Sequence, residues 1–183
     1  MVEIIIITVV LVVFVAYIIG IYNSLISLKN RINNGWAQIE TQLQRRYDLI
    51  PNLVETVKGY AAHEKEVLDR VSTARSGLLN AKGVGGKCEA DNALSGTLKT
   101  LFAVAENYPE LKANENFREL QLELTSTENK IAYARQFYND TVMRFNTAIE
   151  SFPKNVIASF MNLIAREYYE IKPEAREPIK VKF

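Results

Sequence analysis

The chain has 183 residues, 48% hydrophobic and 23% charged, and its 22 basic and 21 acidic side chains leave a formal net charge of +1. That balance excludes a dedicated nucleic-acid binder, which shows a basic stripe and a high pI. With one cysteine and one histidine, an internal disulfide is excluded and a Cys/His zinc site needs two subunits, so no metal or cofactor is expected.

Residues 4–22, IIIITVVLVVFVAYIIGIY, contain no charge. At 1.5 Å per residue the run rises roughly 28 Å, close to the hydrocarbon core of a bilayer. A cleaved signal peptide would need a basic start, a shorter apolar core and small residues at a cleavage site. Here the start is Met1-Val2-Glu3 and Ala16-Tyr17-Ile18 is a poor match, so a retained, single-pass transmembrane helix is expected. Ala16, Gly20 and Ser24 lie four apart on nearly one face, and small residues let membrane helices approach closely. They are expected to pack a homo-oligomer. Lys29 and Arg31 follow the run while Glu3 precedes it, which puts the N-terminus outside and the following domain in the cytoplasm.

No Gly or Pro separates this run from residues 23–29, so the membrane helix should run directly into the domain. Apolar residues then fall at Ile32, Trp36, Ile39, Leu43, Ile50, Leu53 and Val57, gaps of three, four and seven that mark a helical face. Trp36 should pack against the third helix, and Gly35 reads as the close approach of a neighbouring helix. Pro51 lacks an amide proton and must kink or end the helix. The apolar phase of Leu49, Ile50 and Leu53 favours a kinked, continuous helix to about residue 82. The alternative is a helical hairpin with Asn52 as N-cap. Arg45, Arg46 and Asp48 are the most charged point here. Interhelical salt bridges to Glu128 or Asp140 suit them better than lipid headgroups, because Arg45 lies about 35 Å beyond the membrane run along a straight helix. His63, beside Glu64 and Glu66, reads as a solvated surface side chain.

Gly83-Val-Gly-Gly-Lys-Cys88 reads as a flexible helix connection. It fails the phosphate-loop pattern, having Ala81 in place of the first Gly and Cys88 in place of Ser or Thr. Cys88 is then expected to serve as a native maleimide probe of topology. A second helix is expected over about 90–107, ended by Tyr108-Pro109. Asn114 or Asn116 can cap a third, about 38 residues long, with a heptad through Phe117, Leu120, Leu124, Ile131, Ala134, Tyr138, Phe145 and Phe152. Asn139, Asp140 and Thr141 interrupt it with polarity, and with Glu128 they suggest a buried network that fixes helix register. Val156, Ile157, Phe160, Met161 and Ile164 give a short fourth helix. The segment 172–183 has two prolines and no helical phase.

No strand emerges, so the fold class is all-α: an N-terminal transmembrane helix continuing into an antiparallel, four-helix-bundle-like arrangement of long helices. The division is a tail at 1–3, the membrane helix at 4–22, the helical domain at 23–171 and an extended tail at 172–183.

The stretch NGWAQIETQLQRRYDLIPNLVETVKGYAAHE, which holds Trp36, Arg45, Arg46, Asp48, Pro51 and Asn52, resembles the signature of the LemA/MamQ family of bacterial and archaeal membrane proteins. LFAVAENYPELKANENFRELQLELTSTENKIAYARQFYNDTVMRFNTAIESFP and the closing KVKF are similar to it too. The resemblance implies one N-terminal membrane helix, a helical-bundle domain, no established enzymatic activity and a poorly defined biochemical role. Residues 79–92 read as a variable loop, and nothing is carried over there. The expected function is a non-catalytic, membrane-anchored scaffold or membrane-organising factor that self-associates on the lipid bilayer. An adaptor for another membrane protein, such as a protease, is the first alternative. An enzyme using carboxylates in a bundle groove is the second.

Overall fold

The computed structural model describes residues 1–170, and every regular element among them is helical. The elements are α1 (Val2–Lys58), α2 (Lys65–Asn80), α3 (Gly83–Ala105), α4 (Pro109–Ala113), α5 (Glu115–Glu150) and α6 (Lys154–Phe160). Contacts divide them into two units, the first made of Met1–Ala37 with Gln136–Glu167 and the second of Gln38–Arg135 with residues 168–170. The segment 172–183 lies outside the described residues.

In the first unit, the opening turns of α1 are bare apolar surface, and the helix is long and apolar enough to cross a membrane. Full burial begins at Ile21. Ile21 and Leu25 of α1 join Ala148 of α5 and Ala158 of α6 in one buried cluster, with Leu28, Ile149, Ile157, Met161 and Leu163 packed around it. Farther along, α5 passes so close that a Cβ on Gly35 would stand 3.3 Å from the Phe137 ring and 3.5 Å from the Tyr138 Cα. That is the close helix approach expected for Gly35. The segment after α6 lies back on α5: the Asn146 amide donates to the Arg166 carbonyl (3.0 Å) and accepts from its N–H (2.8 Å). The Tyr138 hydroxyl donates to the Glu167 carbonyl at 2.9 Å.

In the second unit, α1 contributes Ile39, Leu43, Ile50, Leu53 and Val57 to a core shared with buried Leu and Val of α2, α3 and α5. Pro51 sits inside α1, which continues through it. Its ring removes the N–H that would bond the Tyr47 carbonyl. Arg75 of α2 replaces that donor, its Nε giving a 3.0 Å bond to the Tyr47 oxygen while its guanidinium stacks 3.7 Å over the Tyr47 ring.

The helix does not continue to residue 82. It ends at Lys58, before Gly59, and α2 begins separately at Lys65. Long-range bonds hold the break open, with the Tyr108 hydroxyl donating to Glu64 (2.8 Å) and the Asn114 amide to the Tyr60 hydroxyl (3.0 Å). Neither tie has a local signal. Residues 83–88 are likewise not a loop. They form the start of α3, leaving only Ala81 and Lys82 as the α2–α3 link. Gly83 makes the reversal with φ +71°, a conformation that favours glycine. Lys87 then donates to the Leu78 carbonyl at the end of α2 (3.0 Å). Asn114 caps α5 by accepting the Phe117 N–H at 2.9 Å. α6 stops at Phe160, so Ile164 follows it outside any helix.

Candidate functional site

The most unusual feature of the second unit is a charge in its core. Arg46 is 1% exposed and lies among Leu43, Ile50 and other apolar residues of α1. Its Nη1 donates to Asp91 of α3 at 2.9 Å, and its Nη2 lies 3.8 Å from the half-buried Glu128 of α5. Asp91 also accepts a 3.3 Å bond from the hydroxyl of Tyr169, which is fully buried. Arg135 completes the surroundings, with its guanidinium 5.8 Å from the Tyr169 ring. Arg46, Asp91, Ser95, Lys99, Glu128 and Arg135 line one cleft of about 270 Å³.

Burial dominates the electrostatics. It pushes the Asp91 carboxyl above the usual aspartate range, with Arg46 and then the hydrogen bond from Tyr169 opposing it. Burial and then the Asp91 charge push the Tyr169 phenol far up. Cys88, one turn before Asp91, is 0% exposed, and burial raises its thiol too, against the pull of Arg135. A thiol held protonated and covered is a poor nucleophile. Among the described residues no group of three or more His, Cys, Asp and Glu is arranged to hold a metal. The arrangement ties α1, α3, α5 and the segment at Tyr169 to one register, a recognised use of a buried ion pair.

The sequence-derived candidates fall as follows. Arg45 and Arg46 both make interhelical ion pairs. Glu128 is only the longer of two partners for Arg46, and Arg45 pairs with Glu123 at 2.6 Å on the surface. Asp48 is exposed and accepts from Gln44 at 2.9 Å. Asn52 is exposed inside α1, its carbonyl accepting from Thr56 at 2.8 Å. Trp36 is half-buried, its ring 5.9 Å from that of Tyr138. Asn139 is half-buried, Asp140 is exposed, and Thr141 is buried with its hydroxyl on the Phe137 carbonyl at 2.8 Å. Ala16 and Gly20 are exposed and Ser24 is half-buried, with open space where a Gly20 side chain would go. Sequence reasoning missed Asp91, Tyr169, Arg75 and Asn146.

Residues 35–183 match the LemA family along their whole length, a span that takes in the Arg46–Asp91–Tyr169 network. This chain belongs to the LemA family. Similar LemA relatives include Magnetosome protein MamQ 2 of Paramagnetospirillum magneticum, 26% identical over 91% of this chain and 71% of that protein. Magnetosome protein MamQ of Magnetospirillum gryphiswaldense is 25% identical over 92% of this chain and 72% of its own length. Protein LemA of Metamycoplasma hominis is 28% identical over 79% of this chain and 67% of the relative. The matches to MamQ cover more of this chain than residues 35–183, and together with the apolar start of α1 they favour membrane association.

Proposed function

We infer that this LemA-family chain is a non-catalytic scaffold, anchored in the cell membrane by residues 4–22, that organises the bilayer by self-association. The observation that carries the reading is the bare apolar start of α1, whose first buried residue is Ile21. Eighteen or so uncovered apolar residues have no stable place in water, and about that number spans a bilayer. Within that surface the small residues Ala16 and Gly20 remain open, available to a second copy. Relatives named for the magnetosome suit a role at a membrane.

Catalysis by paired carboxylates is disfavoured. Asp91 and Glu128 do line one cleft, but both face the same guanidinium, so neither is free to act as a base. The adaptor reading draws support from Leu122 and Tyr133, large apolar side chains exposed on α5.

Particle mass in mild detergent tests the proposal. A multiple of the 20.8 kDa chain is expected, and Gly20→Leu should lower it. A monomeric wild type overturns the scaffold in favour of the adaptor. Unchanged assembly of Gly20→Leu moves the contact away from the small-residue stripe.

A further inference from the structure

We propose that the corner between α5 and α6 is a second membrane-contacting element, with Phe152, Val156 and Phe160 entering the lipid interface beside the end of the α1 span. The proposal rests on the reading that residues 4–22 cross a bilayer. It adds a site on the other end of the chain.

Two independent observations place the corner at that height. The first is contact: Ala148 and Ala158, which flank the corner, share a buried cluster with Ile21 and Leu25 at the end of the apolar run. The second is helical rise. Gly35 touches Phe137 and Tyr138, which sets α1 and α5 level there. From Tyr138 to the end of α5 at Glu150 the rise is roughly 18 Å, and the same distance back along α1 from Gly35 reaches Asn23. Phe152 therefore stands level with the last residues of the uncharged run.

The surface chemistry at the corner matches that position. α6 uses Ile157 and Ala158 inward on the cluster, while Val156 and Phe160 face out. Phe152 and Phe160 are each 83% exposed and Ile164 is 76% exposed. Aromatic residues this bare next to a bilayer are at home in the interfacial zone, where rings collect. Tyr17 and Tyr22, exposed on α1, lie in the same zone. Glu150 and Ser151 precede the corner, and Lys154, Asn155 and Ser159 interrupt its apolar residues, so entry stops at headgroup depth. A short amphipathic corner of this kind lies in the interface and does not span it. Lipid is the chosen occupant because the patch continues an apolar surface that already needs lipid. A second copy of the chain is the competing one.

Nitroxide labels in full-length protein decide between them. In a Cys88→Ser background, single cysteines are placed at Phe152, Phe160, Val12 in the span and Leu122 on the exposed side of α5. The protein is reconstituted into phosphatidylcholine–phosphatidylglycerol vesicles, and collision with oxygen is compared with collision with a water-soluble nickel chelate. Circular dichroism confirms that each variant is helical. The expected result is an oxygen-to-chelate ratio at positions 152 and 160 several-fold above that at 122, in the direction of position 12. A ratio equal to that at 122 leaves the corner in water and overturns the proposal. Shielding from both reagents puts protein over the corner and overturns it in favour of a second copy. If position 12 is itself open to the chelate, the span reading falls and the corner proposal falls with it.

Discussion

Replacing Asp91 with Leu leaves the Arg46 guanidinium buried without its 2.9 Å partner. Arginine cannot shed its charge, so about 3–5 kcal/mol of stability should be lost, the cost of breaking a buried pair from one side. Arg46→Met should cost less, because Asp91 can take up a proton. The sign of its pH dependence follows. Burial already raises the folded carboxyl above its unfolded value, and removing Arg46 raises it further. The deficit of Arg46→Met should therefore be small in acid and through the usual aspartate range, and grow as pH rises above it. Melting of the detergent-solubilised variants across pH measures it. The double substitution should recover most of the loss. Cys88, fully covered and with its thiol raised by burial, should react with maleimide only after denaturation. That withdraws it as a topology probe, and Leu122→Cys in a Cys88→Ser background replaces it. Much of this was present in the sequence as spacing. Arg46 divides the gap of seven between Leu43 and Ile50 into three and four, and Asp91 stands three after Cys88 and three before Leu94. Both are charges on apolar faces; the charge of Arg46 marked it for an interhelical pair, while apolar counting passed over Asp91.

At the scale of elements, Arg75 lets α1 run through Pro51, since it supplies the Tyr47 carbonyl with the donor that proline lacks. Arg75→Met should cost about 1.5–3 kcal/mol, the worth of a hydrogen bond from a charged group. Pro51→Ala restores a backbone N–H at that place, so it should offset part of the loss. A double-mutant cycle on unfolding free energy reads the coupling, and strict additivity would refute the exchange of donors. Gly35→Val should destabilise by about 1–3 kcal/mol through overpacking. Gly35→Ala should be nearly neutral, since the half-exposed Phe137 ring can yield to a contact at 3.3 Å. Helix identity and the start of α5 were legible from periodicity and capping. The end of α1 was not, because it is set by bonds from Tyr108 and Asn114, some fifty residues away in the sequence, to the connection at 59–64. The glycines at 83–86 misled for another reason. Only Gly83 takes a conformation that glycine favours, and the others are helical.

At the scale of the whole molecule, the place where a soluble fragment can begin is fixed by the cluster at Ile21. A chain starting at Leu25 loses Ile21 from its contact with Ala148 and Ala158, at a cost of roughly 1.5–3 kcal/mol. One starting at Ile18 keeps it and should melt higher, a difference that circular dichroism of the two fragments would show. We propose the orientation that Lys29 and Arg31 favour, with the N-terminus outside. With the domain in the cytoplasm, the cysteine at position 122 should resist an impermeant maleimide in intact cells and react after lysis. Labelling of intact cells would put the domain outside. The uncharged run announced itself in the sequence, whereas the depth at which the chain begins to cover it depends on how α6 folds back.

The Arg46–Asp91 pair also constrains descent. If each single change leaves an uncompensated buried group, a lineage can reach an apolar core only by passing through a weakened intermediate. Positions 46 and 91 should then change together or not at all among proteins that keep this core. Exposed pairs such as Arg45–Glu123 should drift one side at a time.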